Sequence, residues 1–332
     1  MLRSRLLNIF AIITSFVAYM VVLMGAIVTE TGSGQGCGTS WPLCHGQLIP
    51  DTVSVSGAIE YSHRIVSGLD GFLIGVLMVW SWLAYRRDFQ VKLLGILSFL
   101  FVVIQGGLGA VTVMYEGTFE LRYILAVHFG LALISFASVI LLTFYLFQVS
   151  SNKRKELAEM AAKQPASKNL QYSAWGLVAL TYLVVYTGAL VRHAGAVLGC
   201  GTEWPLCGAN FLPSLTDGAG VQILHRLAAG AIWFLILAFL IVVVRLYKGR
   251  RDIVAASWWA FLLVTVQAAS GAMTVLSEGQ LVAALIHTTI ISGLFSVLCY
   301  LGMQAGWPWK RQVTTVVLAE EGLNAVSGGG GQ

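Results

Sequence analysis

Long apolar stretches, each of about 20 residues or more, recur from one end of this chain to the other, and no fold that faces water can hide them all. Inside hydrocarbon every peptide group must find its partner within the protein, and a lone run of this length does so only as a helix. Eight runs are read, at about 7–29, 58–84, 92–115, 118–148, 171–192, 220–246, 254–276 and 280–306. The first follows Arg3 and Arg5 in the manner of a secretion signal. It outruns a signal core, and no small-residue cleavage site ends it, so it is read as a retained helix. Composition agrees, since 57% of the 332 residues are hydrophobic and only 11% charged, against roughly 25% charged in soluble domains. Mean hydropathy is +0.80. The expected fold class is an all-α integral membrane protein with eight transmembrane helices.

The basic residues orient it. Arg3 and Arg5, then Arg86, Arg87 and Lys92, the stretch from Lys153 to Lys168, Arg245 to Arg251, and Lys310 with Arg311 hold 16 of the 20 Lys and Arg residues. These segments alternate across eight spans, so they are expected on the cytoplasmic side, with both termini, of a bacterial plasma membrane. The net charge of +5 is then a topology signal and gives no reason to expect nucleic acid as a partner. Segments 31–57 and 194–219 contain no Lys or Arg and fall outside. In an oxidising compartment their cysteines, Cys37 with Cys44 and Cys200 with Cys207, read as two short-range disulfides. Cys299, within the last span, reads as a small core residue.

Those two outer segments are nearly the same text: "GCGTSWPLC" at 36–44 and "GCGTEWPLC" at 199–207. The likeness extends outward. "GAIVTETGSGQGCG" (25–38) aligns with "GALVRHAGAVLGCG" (188–201), "HRIVSG" (63–68) with "HRLAAG" (225–230), and "QGGLGAVTV" (105–113) with "QAASGAMTV" (267–275). The chain is therefore read as a duplicated four-helix bundle: an N-terminal half 1–149, a linker 150–169, a C-terminal half 170–309 and a disordered cytoplasmic tail 310–332. Four is an even number, so both halves enter from one side, related by a pseudo-two-fold axis along the membrane normal.

Four of the six histidines, His63, His128, His225 and His287, fall within spans at equivalent places, near the outer ends of the second and fourth helix of each half. A lone histidine in an apolar helix is usually a satisfied core residue. Four at one depth, paired by a repeat, point to ligation. Zinc would want four ligands converging on one point, commonly with thiolates. Two imidazoles from two helices suit the axial positions of a haem iron in each half, so all four are expected to bind haem iron. Gly68, Gly106, Gly107, Gly109, Gly230 and Gly271, which elsewhere serve helix packing, would leave room for a flat ring. Arg64 and Arg226 each follow a proposed ligand, and are expected to meet anionic propionates rather than merely snorkel to the interface.

The repeat breaks at Glu60, three residues before His63, where Gln222 stands before His225. A carboxylate beside only one of two metal sites can take a proton or stabilise positive charge during an oxidation. Asp70, two turns deeper, faces Ile232 across the repeat and is a candidate for a proton path.

These residues together, the doubled "CGTxWPLC" loops, "EYSHR" against "HR", and a histidine opening the fourth and eighth spans, resemble the haem A synthases over about 7–306. More narrowly, they look like the bacterial members with cysteine pairs in both large outer loops. The resemblance implies oxidation of the C8 methyl of haem O to the formyl group of haem A, for terminal cytochrome oxidases. It implies a haem b cofactor between His225 and His287, substrate haem O between His63 and His128, and Glu60 as the carboxylate of the chemistry. It makes Cys200–Cys207 a structural bridge and Cys37–Cys44 a pair bearing on activity. The implied partners are a haem O synthase (a farnesyltransferase) as donor, a quinone or other electron acceptor, and cytochrome oxidase assembly factors, with room for a homo-oligomer. The residues alone leave a rival: a quinol-linked electron-transfer cytochrome with two bis-histidine haems. Such a protein would not call for Glu60 against Gln222, or for doubled cysteine loops.

Overall fold

The computed structural model describes residues 2–151, 153–205, 207 and 217–309. Among them nine α-helices follow in order: α1 (Leu2–Glu30), α2 (Val55–Ala84), α3 (Phe89–Met114), α4 (Leu121–Ser150), α5 (Lys153–Lys163), α6 (Lys168–His193), α7 (Gly218–Leu246), α8 (Arg251–Leu276) and α9 (Leu281–Ala305). All but α5 are long and apolar enough to cross a membrane, which gives the eight expected spans. The expected tail 310–332 lies outside the described residues.

Several helices begin two or three residues before the apolar runs do, and polar caps are the reason. Ser54 accepts the Gly57 N–H at 3.0 Å, Asp88 the Gln90 N–H at 3.0 Å, Ser167 the Leu170 N–H at 3.2 Å and Asp217 the Gly220 N–H at 2.8 Å. The linker is not wholly irregular. Good helix formers between Lys153 and Lys163, with Glu156 in the first turn and Lys163 in the last, form the short polar α5.

The first four helices close on one another: α1 packs on α2 and α4, and α3 on α2 and α4. The later four repeat the pattern, α6 on α7 and α9, and α8 on α7 and α9. The two sets meet where α4 packs on α6 and α9, and α1 on α9. Leu133 and Ala137 of α4, Val185 of α6 and Phe295 of α9 fill that seam. At Gly130 an added Cβ would stand 2.6 Å from Tyr186 Oη, so the missing side chain admits the tyrosine. Polar groups stitch the seam, as expected where the alternative is lipid. Tyr19 and Thr289 hydroxyls lie 2.9 Å apart, and Arg192 Nη2 donates to the Ala26 carbonyl at 2.7 Å and pairs with Glu30 at 2.9 Å. At the end of the protein where the α7–α8 turn lies, buried Arg250 pairs with Asp252 at 2.8 Å and donates to the Gln304 carbonyl of α9 at 2.8 Å.

Candidate functional site

Both cysteine loops are closed by disulfides, Cys37–Cys44 with S–S 2.06 Å and Cys200–Cys207 with 1.94 Å. Each loop folds back onto the start of the following helix. Gly36 and Gly199, at matching places, lie so close to the backbone at Ser56–Gly57 and Gly218–Ala219 that no Cβ fits.

The side chain that anchors each loop is the residue where the repeat breaks. Glu60 Oε2 accepts the Cys37 N–H at 2.8 Å, and Gln222 Oε1 accepts the Cys200 N–H at 2.7 Å. What differs is the second atom. Glu60 Oε1 pairs with Arg64 one turn on, whereas Gln222 Nε2 donates to the Val197 carbonyl at 2.5 Å. Glu60 is only 5% exposed, so it is a buried, doubly bonded carboxylate and not a rim residue steadied by a helix dipole. Glu116, on the turn between α3 and α4, lies within its electrostatic range, and burial together with the Glu60 charge raises the Glu116 carboxyl above the ordinary value. Sequence reasoning missed Glu116, because only the folded loops bring it towards Glu60.

Each of the four histidines lies with its ring against a glycine of a neighbouring helix. An added Cβ would stand 3.3 Å from His63 Cε1 at Gly25 of α1, 3.9 Å from His128 Cε1 at Gly109 of α3, 2.9 Å from His225 Cε1 at Gly188 of α6 and 3.1 Å from His287 Cε1 at Gly271 of α8. Gly25 matches Gly188 and Gly109 matches Gly271 in the sequence repeat, so the cradles repeat with the histidines. Of the glycines singled out from sequence, Gly109 and Gly271 face the rings, while a Cβ at Gly68, Gly106, Gly107 or Gly230 would meet nothing. His63 and His128 lie within electrostatic range of one another, as do His225 and His287. Among the described residues no three His, Cys, Asp or Glu side chains converge as a metal-ion site.

The surroundings of the two pairs differ. In the second, Thr187 Oγ1 lies 2.8 Å from His225 Nδ1, Ser270 Oγ 2.9 Å from His287 Nδ1, and Gln267 Nε2 3.0 Å from His287 Nε2. In the first, His63 Nδ1 and His128 Nδ1 are buried without a hydrogen-bond partner, and Gln105, which matches Gln267, donates instead to the His128 carbonyl at 2.5 Å. Buried imidazoles set against glycine cradles are donors able to take up a metalloporphyrin, so the residues present fit that group.

The arginines are occupied by the loops. Arg64 Nη1 donates to the carbonyls of Ser40 at 3.0 Å and Leu43 at 2.6 Å, and Arg226 Nη1 to that of Pro205 at 3.1 Å. Asp70 is 4% exposed, with Oδ1 unpartnered, and Ile232 fills the matching inward place at 4%. His45 bonds the Gly36 carbonyl within its own loop at 3.1 Å. An apolar crevice of about 550 Å³ under Trp204, lined by Ala269, Ala272, Met273 and Leu276, opens on the face of α8 away from Gly271.

Residues 8–299 match the family described as Cytochrome oxidase assembly protein, COX15-CtaA. Proteins named Heme A synthase are similar over nearly the whole chain. One from Bacillus mycoides (strain KBAB4) is 42% identical over 300 residues, covering 90% of this chain and 93% of the relative. One from Bacillus cereus (strain 03BB102) is 43% identical over 301 residues, with the same 90% and 93% coverage. One from Bacillus anthracis (strain CDC 684 / NRRL 3495) is likewise 43% identical over 301 residues.

Proposed function

The chain belongs to the COX15-CtaA family of cytochrome oxidase assembly proteins, and on that premise we propose that it is a haem A synthase, a multi-pass membrane oxidoreductase that converts the C8 methyl of haem O to the formyl group of haem A. The observation that carries this reading is two matched imidazole pairs in glycine cradles, with a carboxylate beside one pair and an amide beside the other. A plain electron carrier has no use for that difference.

In this reading His225 and His287 hold a b-type haem, which supplies one-electron redox capacity when bound. His63 and His128 receive the substrate haem. Glu60 presents fixed negative charge one helical turn before His63, held by the Cys37 N–H and by Arg64, and there it stabilises positive charge or takes a proton as the methyl is oxidised. Gln222 keeps the loop-holding bond and gives up the charge, as suits a half that only transfers electrons. Arg64 and Arg226 stand at the outer ends of the ligand helices, where a propionate can share guanidinium N–H groups with the loop carbonyls. The disulfide loops, outside the plasma membrane, roof both sites. Electrons leave to a quinone or similar acceptor, and haem O arrives from a membrane farnesyltransferase; oxidase assembly factors are the expected recipients' company.

The test is pigment analysis of membranes that express the chain together with a source of haem O. Formyl haem should appear with the wild-type chain and be absent without it. A protein that carries haem yet leaves haem O unconverted would overturn the assignment in favour of an electron-transfer cytochrome.

A further inference from the structure

The two imidazole pairs differ in one more respect, and it bears on which haem stays and which leaves. Thr187 Oγ1 donates to the Val184 carbonyl one turn back at 2.7 Å, and Ser270 Oγ to the Gln267 carbonyl at 2.9 Å. A hydroxyl has a single proton, so once that proton is given to the helix backbone only lone pairs remain for other neighbours. With the hydroxyls so directed, the ring nitrogens facing these two oxygens, His225 Nδ1 and His287 Nδ1, are assigned the hydrogen. The same two carbonyls also lie beside the rings, and they too can only accept. With Nδ1 protonated, the lone pair of each ring sits on Nε2. The Gln267 amide group, 3.0 Å from His287 Nε2, is placed to donate to that lone pair. In the first half the residues that match Thr187 and Ser270 are Met24 and Leu108. Neither offers an oxygen, and His63 Nδ1 and His128 Nδ1 are left buried without partners.

We propose that Thr187 and Ser270 are positioning residues that lock the second imidazole pair with Nε2 as the ligating atom, and that Met24 and Leu108 leave the first pair unlocked, so the second half retains its haem while the first half exchanges. The proposal rests on the reading above that both pairs ligate haem, and it adds the origin of the difference between them. A hydrogen bond to the far nitrogen of a ligating imidazole fixes the ring and makes it a stronger donor, and losing such a partner typically weakens metal binding by about 10–100-fold. A cofactor site benefits from that lock. A site that must release its product does not.

The experiment uses the purified full-length protein in detergent, with excess apomyoglobin as a haem acceptor and the Soret band as the readout. T187V and S270A should each speed loss of the b-type haem by roughly tenfold or more and raise its midpoint potential, because a weaker imidazole donor stabilises the ferric state less. T187S should restore both. The reverse substitutions M24T and L108S should slow the loss of a haem bound in the first half by a similar factor, and they carry the test if T187V or S270A fails to fold. Wild-type haem loss and potential in T187V and S270A, or unchanged retention in M24T with L108S, would overturn the proposal while leaving the ligand assignment intact. If H225A and H287A instead leave haem content unchanged, the ligand assignment itself fails, and this proposal with it.

Discussion

Glu60 was conspicuous in the sequence because its repeat partner is an amide, but its bonding was not legible there. The bond from the Cys37 N–H exists only once a disulfide loop folds back over α2. That bond makes one substitution unusually informative. Glu60→Gln keeps an acceptor for the Cys37 N–H, as Gln222 does for Cys200, and removes the charge. The protein should fold and keep its haem while haem A formation drops by roughly 10²–10⁴-fold; haem A at the wild-type level would dismiss Glu60 from the chemistry. Glu116 makes a separate test at this scale. Its carboxyl is raised above 4.5 by burial and then by the Glu60 charge, so the folded protein holds a proton that the unfolded chain has released. This group therefore favours folding less as pH climbs from 4.5 through its raised value. Glu116→Gln should flatten that decline in Tm across the same range, and an unchanged slope would show that the carboxyl does not feel its surroundings in this way.

Helix existence was the most legible level, because apolar runs of this length have one solution in a bilayer. Helix ends were less so, since Ser54, Asp88 and Asp217 are polar and lie outside the runs whose starts they fix. The facing of helices was least legible. Gly25 and Gly188 stood in the aligned repeat, yet a sequence cannot say which glycine meets a ring and which borders open space. Their spacing now ranks a series. Alanine at Gly188 would place Cβ 2.9 Å from the His225 ring, at Gly271 3.1 Å from His287, at Gly25 3.3 Å from His63, and at Gly109 only 3.9 Å from His128. Overpacking of this kind costs about 1–3 kcal/mol. G188A should lose the most b-type haem and G271A less, G25A should lower haem A yield, and G109A should match the wild type by Soret absorbance and extracted pigment. Equal effects at Gly188 and Gly109 would contradict the cradles. Arg250 tests a structural joint far from the rings: Arg250→Ala strands Asp252, whose side chain is 2% exposed, and should cost about 3–5 kcal/mol in denaturant unfolding. A loss under 1 kcal/mol, the scale of exposed pairs, would show the joint to be solvated.

At the scale of the whole molecule, a duplicated text has produced two sets of four helices with matched loops, matched cradles and matched histidines, and four differences around those histidines bear on the account: Glu60 against Gln222, Asp70 against Ile232, Met24 against Thr187, and Leu108 against Ser270. The first two could be read directly from the aligned repeat. The last two lay beside aligned glycines and carried no signal until the rings were placed, because methionine and leucine are unremarkable in a membrane helix. The central claim is a division of labour, one half holding a resident haem and the other turning over a passing one. Extracted pigments from single histidine variants, co-expressed with a haem O source, address it most directly. His225→Ala and His287→Ala should lose b-type haem from the purified protein, whereas His63→Ala and His128→Ala should keep it and yield no haem A. Haem A at the wild-type level from either first-half variant, or undiminished b-type haem in either second-half variant, would contradict the account.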